Sequence, residues 1–435
     1  MERFALSRMK EWKENENRKP LIIRGARQVG KTWIMKTFGQ QYFEKTAYVN
    51  FDNNARMKQV FEGDLDIERL VLSISAETGV SIEAENTLII FDEIQEAPKA
   101  LASLKYFYEN APQYAIVAAG SLLGVALHQG TSFPVGKVDF LDLYPLNFRE
   151  FLCAMGEKQF VSMLDSCDTQ MVTVFKTKYI ERLREYYFVG GMPEVVKDFS
   201  EKKDYNRVRA IQKNLINYYQ QDFSKHAEIK LVPRLNLVWN SIPMQLAKEN
   251  KKYIYGQVRE GSRAKDFELA IQWLLDCGLI HKVQRIQKPD LPLKAYIDFD
   301  AFKLFLVDIG LLIAMTDLDA KVIIEGNKIF TEFKGSLTEQ YILQQLISDV
   351  GVIPYYYSTQ NSKGEIDFLV QGKTSVIPIE VKAEENLKAK SLKAFCEKYQ
   401  PSYAVRTSMS DYREQDWMTN IPLYAIKWIE NYVNQ

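Results

Sequence analysis

Histidine and cysteine are scarce in this chain: three His and four Cys among 435 residues. Cys153, Cys167, Cys277 and Cys396 lie far apart and none forms a CxxC pair, which argues against a Cys/His zinc site and against a disulfide framework. Such usage fits a reducing, cytoplasmic setting. Net charge is also missing, with 56 Lys+Arg against 56 Asp+Glu. The global electrostatic case for a nucleic-acid partner therefore falls, and only local basic patches remain. Long apolar runs are absent too. The longest uncharged one, Ala115–Leu127, is shorter than the ~18–20 residues that cross a bilayer. The opening MERFALSRMKEWKENENRKP has no apolar core of the signal-peptide kind, so no membrane association is expected.

What is present is a globular composition, 46% apolar and 26% charged. The length corresponds to roughly two to four domains. Up to about Asp198, short apolar runs (Leu21–Ile23, Ala47–Phe51, Leu88–Phe91, Ala115–Ala119) alternate with helical patterns, which predicts a parallel sheet covered on both faces. From Tyr205 to about Ala314 the pattern is mainly helical. Within it, the amphipathic stretch Ser262–Cys277 ends at Gly278 and leads into the apolar run Leu279–Val283, a winged helix-turn-helix pattern. From about Phe330 a helix, Ser336–Ile347, precedes strands at Val352–Tyr357, Ile366–Val370 and Val376–Val381. The expected division is 1–200, 201–325 and 326–435.

Gly25-Ala26-Arg27-Gln28-Val29-Gly30-Lys31-Thr32 matches GxxxxGK[ST] at every fixed position. It follows a strand and opens a helix, Trp33–Phe38, expected to stop at Gly39. Glycines let backbone N–H groups curl around phosphates, and the helix N-terminus adds its positive end. Lys31 would neutralise β/γ-phosphate charge and the Thr32 hydroxyl would ligate Mg²⁺. The strand Leu88–Phe91 then ends in Asp92-Glu93. Asp92 would hold the metal and Glu93 would polarise the attacking water, although two acids at a strand end also serve as a solvated turn or a helix cap. Ser121, after the strand Ala115–Ala119, would orient that water or simply cap the next helix.

Together RGARQVGKT, LIIFDEIQ, AAGSL, VDFLDLYPLNFREFL and YFVGGMPEVV resemble a widespread prokaryotic family of AAA-type ATPases, from Arg24 to about Ala383. The resemblance implies a P-loop AAA+ ATPase domain with a parallel sheet and a C-terminal α/β domain of unknown function similar to restriction-endonuclease folds. It also implies ATP and Mg²⁺ as cofactors and assembly into a homo-oligomer. The family usually carries Gly-Arg ahead of the DFLDLYPL-like stretch, whereas this chain has Gly136-Lys137. Lysine lacks the bidentate fork of an arginine finger.

Near the C-terminus, Asp367 lies 13 residues before Glu380, and Glu380 and Lys382 share one face of a strand. This is the D…ExK core of the PD-(D/E)XK nucleases, which the family's C-terminal domain resembles. Asp367 and Glu380, with Glu339 on the preceding helix, would hold hard divalent ions, and Lys382 would orient water or stabilise developing charge. Exposed Glu and Lys on strands are also ordinary cross-strand partners. Two hypotheses therefore stand: an ATPase controlling a domain that acts on DNA, or a nucleotide-dependent switch whose C-terminal fold binds a partner or nucleic acid without cutting. Lys248, Lys251, Lys252, Arg259, Arg263 and Lys265 give local basic density for phosphate contact or for a charged helical surface. His128, His226 and His281 are isolated, and Tyr355–Tyr357 reads as strand packing.

Overall fold

The computed structural model describes residues 1–120, 133–248, 251–324, 331–359, 364–383 and 389–435. They fall into two compact units. One comprises Glu2–Tyr144 with the short segment Asp276–Leu279, and the other Pro145–Leu275 with Ile280–Gln435.

The first unit is built on five strands, β1 (Leu21–Arg24), β2 (Lys45–Asn50), β3 (Thr87–Asp92), β4 (Ala115–Ala119) and β5 (Asp139–Asp142), in the order β2-β3-β4-β1-β5. Every pairing is parallel. Such a sheet must be apolar on both faces, and all six residues of β3 and all five of β4 are buried. Helices α1 (Ala5–Glu14), α2 (Lys31–Tyr42), α3 (Ala55–Glu62), α4 (Ile67–Thr78) and α5 (Pro98–Asn110) connect and flank the strands. Phe51, Phe61 and Phe91 meet edge to face at 5.5–5.6 Å in the core. One sequence expectation is corrected here. Gly39 does not stop α2 but lies inside it, because a Cβ there would come within 2.4 Å of Thr46 Oγ1 on β2. Its glycine serves close helix–strand approach, not termination.

The second unit carries an eight-stranded mixed sheet: β6 (Ile280–Ile286), β7 (Ile297–Leu306), β8 (Tyr355–Ser358), β9 (Glu365–Gln371), β10 (Val376–Val381), β11 (Val405–Ser408), β12 (Arg413–Gln415) and β13 (Met418–Pro422). Their order is β12-β13-β11-β10-β9-β8-β6-β7. The strand expected over Val352–Tyr357 begins only at Tyr355, after Pro354, which has no N–H for a ladder. Helices Val232–Leu246, Tyr255–Val258 and Ala264–Asp276 precede the antiparallel hairpin β6–β7, and the helix Thr331–Gln345 precedes β8.

Two sequence stretches acquire structural reasons in this unit. In PLNFREFL, Asn147 caps the helix Phe148–Ala154: Glu150 N–H donates to Asn147 Oδ1 at 2.8 Å, and the Asn147 N–H donates back to Glu150 Oε2 at 3.2 Å. In YFVGGMP, a Cβ on Gly191 would lie 2.1 Å from Leu146 O, and one on Gly190 2.2 Å from Asp308 Oδ1. Asp308 is wholly buried, accepts from the N–H of Gly191 (2.6 Å) and Leu311 (3.1 Å), and is pushed up to about 6 by burial.

Candidate nucleotide site and C-terminal charge cluster

The loop between β1 and α2 turns on residues with left-handed backbone: Gly25 at φ +146°, Gln28 at +66° and Gly30 at +95°. Alternating such residues gathers successive N–H groups into an anion-binding concavity. Gly25 is also required sterically, since a Cβ there would stand 2.2 Å from Leu143 O. The helix opens at once, with Ile34 N–H bonded to Gly30 O at 2.9 Å. Buried Arg3 ties the loop down, donating to Val29 O at 2.9 Å and Tyr144 O at 2.6 Å. No motif signalled that arginine in the sequence. Lys31 Nζ donates to the carbonyls of Gly25 (2.9 Å) and Ala26 (2.7 Å). Burial lowers its pKa to about 8 against the opposing pull of Glu93 and Asp92.

At the other end of the loop, Thr32 Oγ1 donates to Asp92 Oδ2 at 2.7 Å. Asp92 is 3% exposed at the end of β3, and its Oδ1 accepts from the Glu93 N–H at 3.1 Å. A hydroxyl and a carboxylate side by side at a phosphate-binding loop form the hard-oxygen donor set that Mg²⁺ takes, so these residues fit the ion. Glu93 has left-handed backbone (φ +51°, ψ +45°), a costly conformation for a side chain of this kind, and its carboxylate accepts from Gln95 Nε2 at 2.7 Å. Tyr48 and Asn50, on β2 beside Asp92, belong to the same group of polar contacts. Sequence reading passed over them, although polar residues at the end of a parallel strand next to Asp92 were the available signal. Ser121 lies outside the described residues. Lys137 pairs with Glu109 at 2.9 Å.

The C-terminal residues make two overlapping sets of contacts, joined at Asp367. Asp367 on β9 accepts from the Val381 N–H at 2.7 Å. Glu380 on β10 is 4% exposed; it accepts from the Leu392 N–H at 3.0 Å and pairs with Lys382 at 2.6 Å. Glu339, on the helix Thr331–Gln345, is instead engaged by Lys251 and by Lys303 of β7, the latter at 3.6 Å. Lys303 is wholly buried and also pairs with Glu365. Burial opposes its charge, but Glu339, Glu365 and Asp367 outweigh burial and hold its pKa above the usual lysine range. Burial likewise pushes Glu339 up, yet Lys251 and Lys303 prevail and keep its carboxyl below the usual range. Asp367 is raised to about 7, by burial first and then by the Glu339 charge. Lys303 was missed because a single lysine in an alternating strand carries no motif. Among the described residues no three His, Cys, Asp or Glu side chains are grouped as a metal would need. His281 is half-buried, and desolvation lowers it to about 4, while Tyr355–Tyr357 pack inside the sheet.

Three family models match consecutive parts of the chain: an AAA domain over residues 17–152, and domains of unknown function DUF8612 over 180–322 and DUF4143 over 334–426. No curated protein matches. Among solved structures, a Walker-type ATPase of Pyrococcus abyssi, PABY2304, is 14% identical with a TM-score of 0.46, over 72% of this chain and 95% of that one. A Thermotoga maritima RuvB variant is 12% identical (TM-score 0.28, 64% of this chain, 87% of that one). A chain from the Drosophila ORC bound to DNA is 12% identical (TM-score 0.26, 74% and 95%). Among the described residues no helix is long and apolar enough to cross a membrane. The AAA-domain match encloses the whole loop Gly25–Thr32 and the acids Asp92 and Glu93, so this part of the chain is similar to an AAA domain carrying the P-loop pattern.

Proposed function

We propose that the protein is a Mg²⁺-dependent ATPase whose nucleotide state switches its C-terminal part between partner-binding states. The observation that carries the switch reading is the fate of the C-terminal acids. Glu339 is neutralised by Lys251 and Lys303 from within the chain, and Glu380 by Lys382, so their charge is already answered. In the nucleotide site, the N–H groups of Gly25–Thr32 bind the phosphates, and Lys31 leaves its two loop carbonyls for the β/γ-phosphate oxygens. Thr32 and Asp92 would hold a Mg²⁺ ion, which would supply charge neutralisation at the phosphates. Glu93, fixed by Gln95, accepts a hydrogen bond from the attacking water and orients it. The chain then reads as an ATPase part followed by winged-helix and nuclease-like parts that share the eight-stranded sheet, in a cytoplasmic homo-oligomer with Lys137 where the related family has arginine. Exposed Arg259, Arg263 and Lys265 on the winged-helix part would supply phosphate contacts to DNA.

A second reading, metal-dependent cleavage, is favoured by one observation: the register Ile379↔Phe368 brings Asp367 and Glu380 onto adjacent positions of paired strands, with Lys382 following. Two assays on purified protein decide. Glu93→Gln retains ATP by calorimetry and slows hydrolysis by roughly 10²-fold or more, whereas equal turnover moves the chemistry away from Glu93. Incubation with single- and double-stranded DNA and RNA under Mg²⁺ or Mn²⁺ gives no cutting on the switch reading. Cleavage lost in both Asp367→Ala and Lys382→Ala would establish the nuclease instead.

A further inference from the structure

A third element converges on the Thr32–Asp92 pair. The parallel register of β2 with β3 sets Tyr48 against Ile90 and Asn50 against Asp92, so two polar side chains of β2 reach the same strand end. The Tyr48 hydroxyl lies 2.8 Å from Asp92 Oδ2, the oxygen that also accepts from Thr32. Direction along this chain of contacts is fixed from its far end. Asn50 Oδ1 accepts the Asp52 N–H at 2.8 Å, which leaves the Asn50 amide to donate to the Tyr48 oxygen at 3.4 Å. With its lone pair facing Asn50, the Tyr48 hydroxyl proton faces Asp92. The ring is held by the Lys36 ammonium 3.8 Å from its centroid, and Lys36 stands one turn after Thr32 on α2.

We infer that Tyr48, oriented by Asn50, is a positioning residue that fixes the Asp92 carboxylate for the metal of the ATP site. A carboxylate held by two hydroxyls presents its remaining lone pairs in one direction, and loss of such an outer partner characteristically weakens metal affinity about 10–100-fold. The inference rests on the nucleotide-site reading above, and the two are separable. Tyr48→Phe keeps the ring on Lys36 and removes only the hydroxyl.

The experiment measures binding, not turnover. A fluorescent ATP analogue is titrated into the full chain in EDTA, and Mn²⁺ is then titrated, by electron paramagnetic resonance of the free ion, into protein saturated with ATP. For Tyr48→Phe the expected result is ATP affinity in EDTA within about twofold of wild type and Mn²⁺ affinity weakened about tenfold or more. Asn50→Leu, which leaves the phenol but not its orientation, moves Mn²⁺ affinity in the same direction. Unchanged Mn²⁺ affinity in Tyr48→Phe with ATP binding intact overturns the positioning role alone. Failure of the wild-type chain to bind ATP overturns the nucleotide-site reading beneath it.

Discussion

Replacing Lys303 by methionine removes a charge from a position with no exposure to water and leaves Glu339, Glu365 and Asp367 facing one another. Deleting one partner of a buried ion pair costs about 3–5 kcal/mol, because the survivor keeps its desolvation penalty. Two features pull the value toward the lower end. Glu339 retains Lys251, and Asp367, already raised to about 7, can take up a proton. At about 2–4 °C per kcal/mol, the transition of the second unit falls by roughly 6–20 °C. Differential scanning calorimetry of the full chain in EDTA reads it, with the P-loop unit's transition, sharpened by ATP, as an internal reference. Adding Glu365→Gln to Lys303→Met removes one unpaired charge and recovers part of the loss. A Lys303→Met chain melting within about 2 °C of wild type would refute the claim that these buried charges depend on one another.

Three further outcomes follow from geometry already described. Because Lys31 titrates near 8 in the free protein, it is charged below that pH and must regain its proton above it to meet phosphate. ATP affinity therefore holds steady up to about pH 8 and then declines by up to about tenfold per pH unit, a decline that calorimetry finds absent in Lys31→Arg if the assignment is right. Gly191→Ala, whose Cβ meets Leu146 O at 2.1 Å, lowers thermal stability by several times the effect of Gly79→Ala, where nothing lies within 4 Å of the added carbon; equal effects would show that the Gly190-Gly191 stretch tolerates side chains. Gly25→Ala, at φ +146° and against Leu143 O, abolishes binding of the fluorescent ATP analogue, and retained affinity would mean the loop has another conformation when it binds.

Short-range physics made part of this protein legible in its sequence. Four of the five strands of the first sheet show because a parallel sheet buries both faces, leaving unbroken apolar runs such as Leu88–Phe91, whereas the edge strand β5, with only Leu141 buried, does not. The phosphate loop shows because its spacing is set by backbone conformation over eight consecutive residues. The boundary of α2 was not legible, since Gly39 is chosen by contact with Thr46 on a neighbouring strand and not by helix ending. Arg3, Tyr48 and Asn50 stayed hidden for a related reason: each acts on a partner whose separation, 26 residues for Arg3 to Val29 and 44 for Tyr48 to Asp92, has no periodic signature.

The C-terminal acids mark the limit most clearly. Their D…ExK spacing and the family resemblance put Asp367 and Glu380 in one candidate set, and the antiparallel pairing of β9 with β10 brings them onto adjacent positions. What answers their charge was decided by the tertiary structure alone. Lys303 comes from β7 and Lys251 from irregular chain ahead of the short helix Tyr255–Val258, 88 residues before Glu339, and both reach the acids only because distant segments pack together. Sequence fixes which side chains carry charge, while folding decides which of them share a dry interior. There a few ångströms settle whether an acid is answered by a lysine or left open to an ion.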